Sequence, residues 1–134
     1  MKEKRSMGQA WQAAQAYATS LPEVLLDQPF QEDFETTVIR HVKSRKWFCL
    51  FMRVSAHKIG REGSEPVELL NLKCDPEDGI VARELFEGIL PAYHMNKTHW
   101  ITVVLDGSVP KAFVNRLIAK SYLLTKGRKN EDVF

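Results

Sequence analysis

The chain has 134 residues, 44% of them hydrophobic and 27% charged, which fits one ordinary globular domain and excludes a disordered tail or a fibre. A chain of this size buries about two thirds of its unfolded surface, so it needs no metal or disulfide staple to fold. Nineteen Lys and Arg against seventeen Asp and Glu leave a formal charge of +2, too small to mark a nucleic-acid binder by net charge alone.

Gly8 to Ser20 reads as a nearly uncharged helix, because Trp11, Ala14, Ala18 and Leu21 recur at helical spacing beside Tyr17 and Pro22 ends the run. Phe34 to Val42 alternates as a strand rich in Thr, Val and Ile, and Lys43, Ser44 and Arg45 form the turn after it. Trp47 to Val54 is a second strand, apolar on both faces and therefore central. Ser55 to Pro66, with Gly60, Gly63 and Ser64, is a long exposed hairpin loop leading to a third strand at Val67 to Cys74. Asp75 caps a second helix, with Pro76 in its first position and Glu77 and Asp78 in its first turn; it runs to about Glu87 before Gly88 and Pro91. A strand follows at His99 to Leu105, and a last helix begins at Pro110 with Phe113, Val114, Leu117, Ile118 and Leu124 as its buried stripe.

The order α, three strands, α, a strand, α lacks the rhythm of a doubly wound sheet. It predicts an α+β fold with a mainly antiparallel sheet packed against helices. No repeat, low-complexity tract or linker divides residues 1–134, so a single domain is expected, with an ordered core of about residues 7–126.

The longest apolar run, Trp47 to Met52, is far short of the roughly 18 residues of a membrane span. Charged Met1 to Arg5 leads into Gly8, Gln9, Gln12 and Gln15 rather than an apolar signal core, so a cytoplasmic protein with no membrane partner is expected. Cys49 and Cys74 lie in apolar strand-like segments and form no C-x-x-C pair, which reads as two reduced, buried thiols.

Charge is sorted along the chain. Glu23 to Glu35 holds five acids and no Lys or Arg, whereas Arg40 to Arg61 holds seven Lys or Arg and no acid. Glu62 to Glu87 reverses the balance with eight acids against Lys73 and Arg83. A basic hairpin can lie along a groove where its cations neutralise phosphates and an aromatic residue stacks, so Arg40, Lys43, Arg45 and Lys46 beside Trp47 and Phe48 form one candidate wing. Lys58 and Arg61 form a second, with Glu62 and Glu65 opposing phosphate. The alternative is that the cations solvate a turn while Trp47 and Phe48 enter the core. A further cluster, Tyr93, His94, Asn96, Lys97, His99 and Trp100, gathers donors and aromatics where a loop enters a strand. Asn96, Lys97 and His99 could contact a base edge or phosphate, or the cluster could satisfy the loop's own backbone.

The stretch Pro91-Ala92-Tyr93-His94-Met95-Asn96-Lys97-Thr98-His99-Trp100, continuing through Asp106-Gly107-Ser108-Val109-Pro110, resembles the signature of the MmcQ/YjbR family. Leu21-Pro22, Asp27-Gln28-Pro29-Phe30, Lys46-Trp47-Phe48-Cys49-Leu50 and Ser121-Tyr122-Leu123-Leu124 extend the likeness to roughly Met7 to Lys126. The resemblance implies a compact domain like the bacterial frataxin CyaY, and a predicted DNA-binding role through a double wing of β-hairpins. It does not bring frataxin's iron chemistry, which uses acids of the first helix, because Met7 to Ser20 contains no Asp or Glu.

The expected function is thus a small DNA-binding module, monomeric or a weak homodimer, holding phosphates with Arg40, Lys43, Arg45, Lys46, Lys58 and Arg61. Asn96, Lys97 and His99 are its secondary contacts. Five or six such contacts predict a log-log salt slope near −5. No metal, cofactor or catalytic residue is expected: His94 and His99 alone make no metal set, and no phosphate loop or nucleophile elbow occurs. The rival is a non-enzymatic protein-interaction or small-ligand module with no nucleic-acid role, motivated by the acidic segments and to be favoured by a concave pocket beside Tyr93, His94 and Trp100.

Overall fold

A computed structural model describes residues 7–30 and 35–127. The elements run α1 (Gln9–Thr19), β1 (Val24–Asp27), β2 (Thr37–His41), β3 (Trp47–Ser55), β4 (Pro66–Lys73), α2 (Pro76–Leu85), β5 (Ile89–Pro91), β6 (Trp100–Val104) and α3 (Lys111–Thr125). The six strands form one antiparallel sheet in the order β1-β2-β3-β4-β6-β5, the expected α+β fold with β3 in its interior. Two short edge strands, β1 and β5, extend the four read from the sequence. Phe34, the expected start of β2, lies outside the described residues.

Successive strand residues face opposite sides, so Phe51 of β3, Leu70 and Leu72 of β4 and Ile101 and Val103 of β6 share one face. They join Trp11, Ala14 and Ala18 of α1 and Val114, Leu117 and Ile118 of α3 in the core. Trp11 stacks on Phe51 with ring centroids 5.3 Å apart, so its indole is a core group. Register shifts between Ile39 and Arg40, with Ile39 opposite Cys49 and Arg40 opposite Trp47. The bulge leaves Phe48 as the extra residue, and Phe48 and Cys49 are both fully buried in the core although they are adjacent. Trp47 is only half-buried and meets Phe30 edge to face.

Leu124, expected in the buried stripe of α3, is exposed, and Ser121, Tyr122 and Thr125 are buried instead. Polar contacts set that face. The Ser121 hydroxyl donates to the Phe48 carbonyl (2.7 Å) and accepts the Lys73 N–H (2.9 Å), which ties α3 to two strands. Asp75 does stand at the N-cap of α2 before Pro76, but its side chain makes no capping hydrogen bond and the helix ends at Leu85. The expected hairpin loop contains a 3-10 turn at Ala56–Ile59, closed by Gly60 at φ 82°. Left-handed backbone there is what a glycine supplies without strain.

Candidate nucleic-acid interface

Antiparallel order places His41 at the end of β2, Trp47 at the start of β3, Lys73 at the end of β4 and Trp100 at the start of β6 on the same end of the sheet. The β2–β3 turn and the loop entering β6 therefore lie at this first end, on the order of 10 Å apart across two strand spacings. The β3–β4 loop with Lys58 and Arg61 lies at the other end. The nine residues of β3 separate the two by about 30 Å. The sequence-predicted wings thus point in opposite directions.

The turn after β2 is fixed on three sides. Its own closure comes from Arg45 N–H to His41 O (3.1 Å) and His41 N–H to Lys46 O (3.0 Å), and Val42 N–H bonds Glu23 O (2.9 Å). The Ser44 hydroxyl accepts Lys46 N–H (3.2 Å) and donates to Thr125 O at the end of α3 (3.3 Å). Arg45 takes φ 67°, the left-handed conformation that lets the chain reverse. Beneath it, His41 is buried between the rings of Phe48 and Tyr122, and its Nε2 lies 2.9 Å from Thr125 Oγ1. Burial lowers the His41 pKa, against a hydrogen bond to the Tyr122 backbone and with help from Lys126 and Lys46.

The candidate cations divide by partner. Arg40 pairs with Asp27 (3.0 Å), Lys43 with Glu23 (3.6 Å, both exposed) and Arg61 with Asp106 (3.5 Å). Burial disfavours the Asp106 carboxylate, but hydrogen bonds from Ser108 and the charge of Arg61 outweigh it and hold the pKa below its usual value. Among the described residues, exposed Arg45, Lys46 and Lys58 make no ion pair.

In the second cluster Asn96 serves the loop. Its Oδ1 accepts the N–H groups of Thr98 (2.9 Å) and His99 (3.0 Å), a side-chain-closed turn. Lys97 reaches back to Ala92 O (2.7 Å) yet stays largely exposed, as does His99. The first two residues of that cluster, which were not among its expected contacts, stack their rings in parallel: Tyr93 and His94 lie 4.0 Å apart at 7°. Only the aromatic identities were visible beforehand, because the stack depends on a φ of 60° at His94.

Cys49 and Cys74 are both free and buried, and burial raises each thiol's pKa, Cys49 well above its usual value. Arg83 partly offsets the shift at Cys74, and Asp78 and Asp75 add to it. Among the described residues no group of three or more His, Cys, Asp and Glu could hold a metal ion, and no helix is long and apolar enough to cross a membrane. A cleft of about 590 Å³ opens between α1 and the start of α3, lined by Ala10, Ala13, Val109, Lys111 and Asn115 among others. It does not include Tyr93, His94 or Trp100, where the rival reading looked for a pocket.

The YjbR family model matches residues 19–124. The chain is 40% identical over 100 residues to the uncharacterized protein YyaQ of Bacillus subtilis, covering 75% of this chain and 84% of that one. It is 31% identical over 113 residues to the uncharacterized protein YbdF of Escherichia coli O157:H7, covering 84% and 81%. A crystal structure of a Pseudomonas syringae protein superposes with a TM-score of 0.79 at 37% identity, covering 89% of this chain and 99% of that one. A Deinococcus radiodurans protein follows at 0.66 and 33%, covering 85% and 76%.

Proposed function

The chain belongs to the YjbR family, and on that footing we propose that it is a DNA-binding module whose phosphate contacts are centred on the β2–β3 turn. One observation carries the reading: Arg45 and Lys46 stand without acidic partners among the described residues, on a turn pinned to β1 and to α3. With the turn backbone fixed, only the two side chains remain to be ordered when they meet phosphate. Lys97 and His99 on the neighbouring loop supply the secondary contacts at the same end of the sheet. Arg40 and Lys43 are drawn toward Asp27 and Glu23, and Lys58 and Arg61 are too far away to share one short stretch of backbone with the turn. The second wing is therefore the loop entering β6 in place of the β3–β4 loop.

We read the module as a binder and not an enzyme, since both of its cysteines are buried with raised pKa values that suit them poorly as nucleophiles.

Fluorescence anisotropy of labelled DNA at roughly 50 and 200 mM salt tests the reading. Three cationic contacts, Arg45, Lys46 and Lys97, predict a log-log slope near −3, and R45Q/K46Q lowers its magnitude by about 2. Binding that ignores salt, or is unchanged in R45Q/K46Q, refutes the site. Absence of binding at low salt refutes the function and directs attention to the cleft between α1 and α3.

A further inference from the structure

Resting on that DNA-binding reading, we infer that the Tyr93–His94 pair is a stacking platform for an unpaired base, so that the preferred partner is single-stranded rather than duplex DNA. Three features define the geometry. His94 takes φ 60°, the left-handed region that Arg45 (φ 67°) and Glu23 (φ 58°) also occupy, at a cost of about 1 kcal/mol or more for a residue with a Cβ. The two rings lie parallel, 7° apart at 4.0 Å, and His94 is exposed while Tyr93 is half-buried.

The backbone under the platform is held from below. Asn71 and Thr102 are completely buried side chains on neighbouring strands and hydrogen-bond each other. Asn71 Nδ2 donates to Tyr93 O (3.0 Å), and Thr102 Oγ1 accepts Tyr93 N–H (2.8 Å). Both backbone groups of Tyr93 are thus fixed by the sheet, and Lys97 ties the loop back on itself at Ala92. A strained conformation persists only where its surroundings over-determine it, as here.

An exposed flat ring face offers stacking energy to any planar base, without regard to sequence. Bases inside a duplex are stacked on one another and cannot use it, whereas a single strand presents them freely. Phosphate contacts lie alongside. Lys97 and His99 follow on the same loop, and Asn71 pairs with Leu50, three residues from Trp47 at the start of β3 beside the basic turn. That path is about 10 Å along the strand, within reach of a short oligonucleotide.

The test titrates the full chain with a dT12 strand, a 12-base-pair duplex and free thymidine monophosphate. The variants are H94N, in which Asn tolerates the left-handed backbone but offers no aromatic ring, and Y93L. The strand is expected to bind at least about tenfold tighter than the duplex, and H94N to weaken strand binding by about fivefold or more. H94N should leave duplex affinity and the salt slope unchanged. Circular dichroism and melting of H94N and Y93L establish that the fold survives.

Equal affinity for strand and duplex, or an H94N variant that binds the strand normally, overturns the platform while salt-steep binding through Arg45 and Lys46 still stands. A free nucleotide that binds as tightly as the strand overturns the strand as the partner. No binding of any probe overturns the platform together with the function.

Discussion

Replacing Glu68 with Gln should destabilise the domain by about 3 kcal/mol, although the change preserves shape. Arg53 is a nearly buried cation whose Nε and Nη2 both donate to Glu68 Oε2, at 3.2 and 2.9 Å, while Nη1 donates to Glu35 (2.8 Å). The same Glu68 carboxylate accepts Gly8 N–H at the start of α1 (3.1 and 3.2 Å), where the helix dipole favours an anion. The Arg53 guanidinium also lies 5.9 Å from the Trp11 ring centroid, so one carboxylate joins β3, β4 and α1. Removing one member of such a pair typically costs about 3–5 kcal/mol, and the lower end applies because Glu35 keeps part of the compensation. For a domain of this size, about 3 kcal/mol lowers Tm by on the order of 10 °C. Urea denaturation followed by circular dichroism measures it. The double variant R53M/E68L, which removes both charges together, should be less destabilised than E68Q. A loss in E68Q under about 0.5 kcal/mol, the level of an ordinary surface change, would refute the account of Arg53 as a charge that depends on Glu68.

Two further predictions concern buried titratable groups. Folded His41 has a pKa below its usual 6.5, so the unfolded chain takes up a proton that the folded one resists. Stability should therefore be complete above about pH 6.5 and fall as pH drops below it, by up to about 1 kcal/mol per pH unit. The H41Q variant, which keeps a polar partner for Thr125 but does not titrate, should lack that component in urea denaturation between pH 5 and 7.5; identical profiles would exclude His41 as the cause. Cys49 and Cys74 should react with a disulfide reagent far more slowly in the folded protein than in urea, and fast labelling of Cys49 would contradict its burial.

The helices and the four longer strands were legible because their apolar residues recur with a clear period. The strand β3 looked apolar on both faces for two reasons: it is interior to the sheet, and its bulge turns Phe48 and Cys49 into the same core. The short edge strands gave no comparable signal. Val24–Asp27 is exposed or half-buried along its length, and Ile89–Pro91 has three residues ending in proline, so each is a strand only by virtue of its neighbour. Leu124 satisfied the helical period of α3, but the buried positions went to Ser121 and Thr125, whose hydroxyls bond Phe48 and His41. Tyr93 and His94 were visible as aromatics, whereas the backbone of Tyr93 in the stacked pair is held by Asn71 and Thr102, far away in sequence.

The charge pattern shows most directly how topology revises a linear reading. An acidic segment followed by a basic one looks like a phosphate-binding surface beside a separate acidic face. Antiparallel pairing of β1 with β2 instead folds one onto the other, bringing Glu23 to Lys43 and Asp27 to Arg40, while Glu35 reaches Arg53 on β3. Three cations of the Arg40 to Arg61 stretch are thereby matched by the preceding acids, and Arg61 is matched by Asp106 from the other side of the sheet order. Arg45, Lys46 and Lys58 are left, and the meander sends Lys58 to the opposite end from the other two. A basic run of seven in sequence thus becomes a two-residue focus in space, supplemented from the loop before β6. This is why the expected salt slope falls from near −5 to near −3. A measured slope near −5 would mean that phosphate displaces Asp27 and Glu23 from their partners.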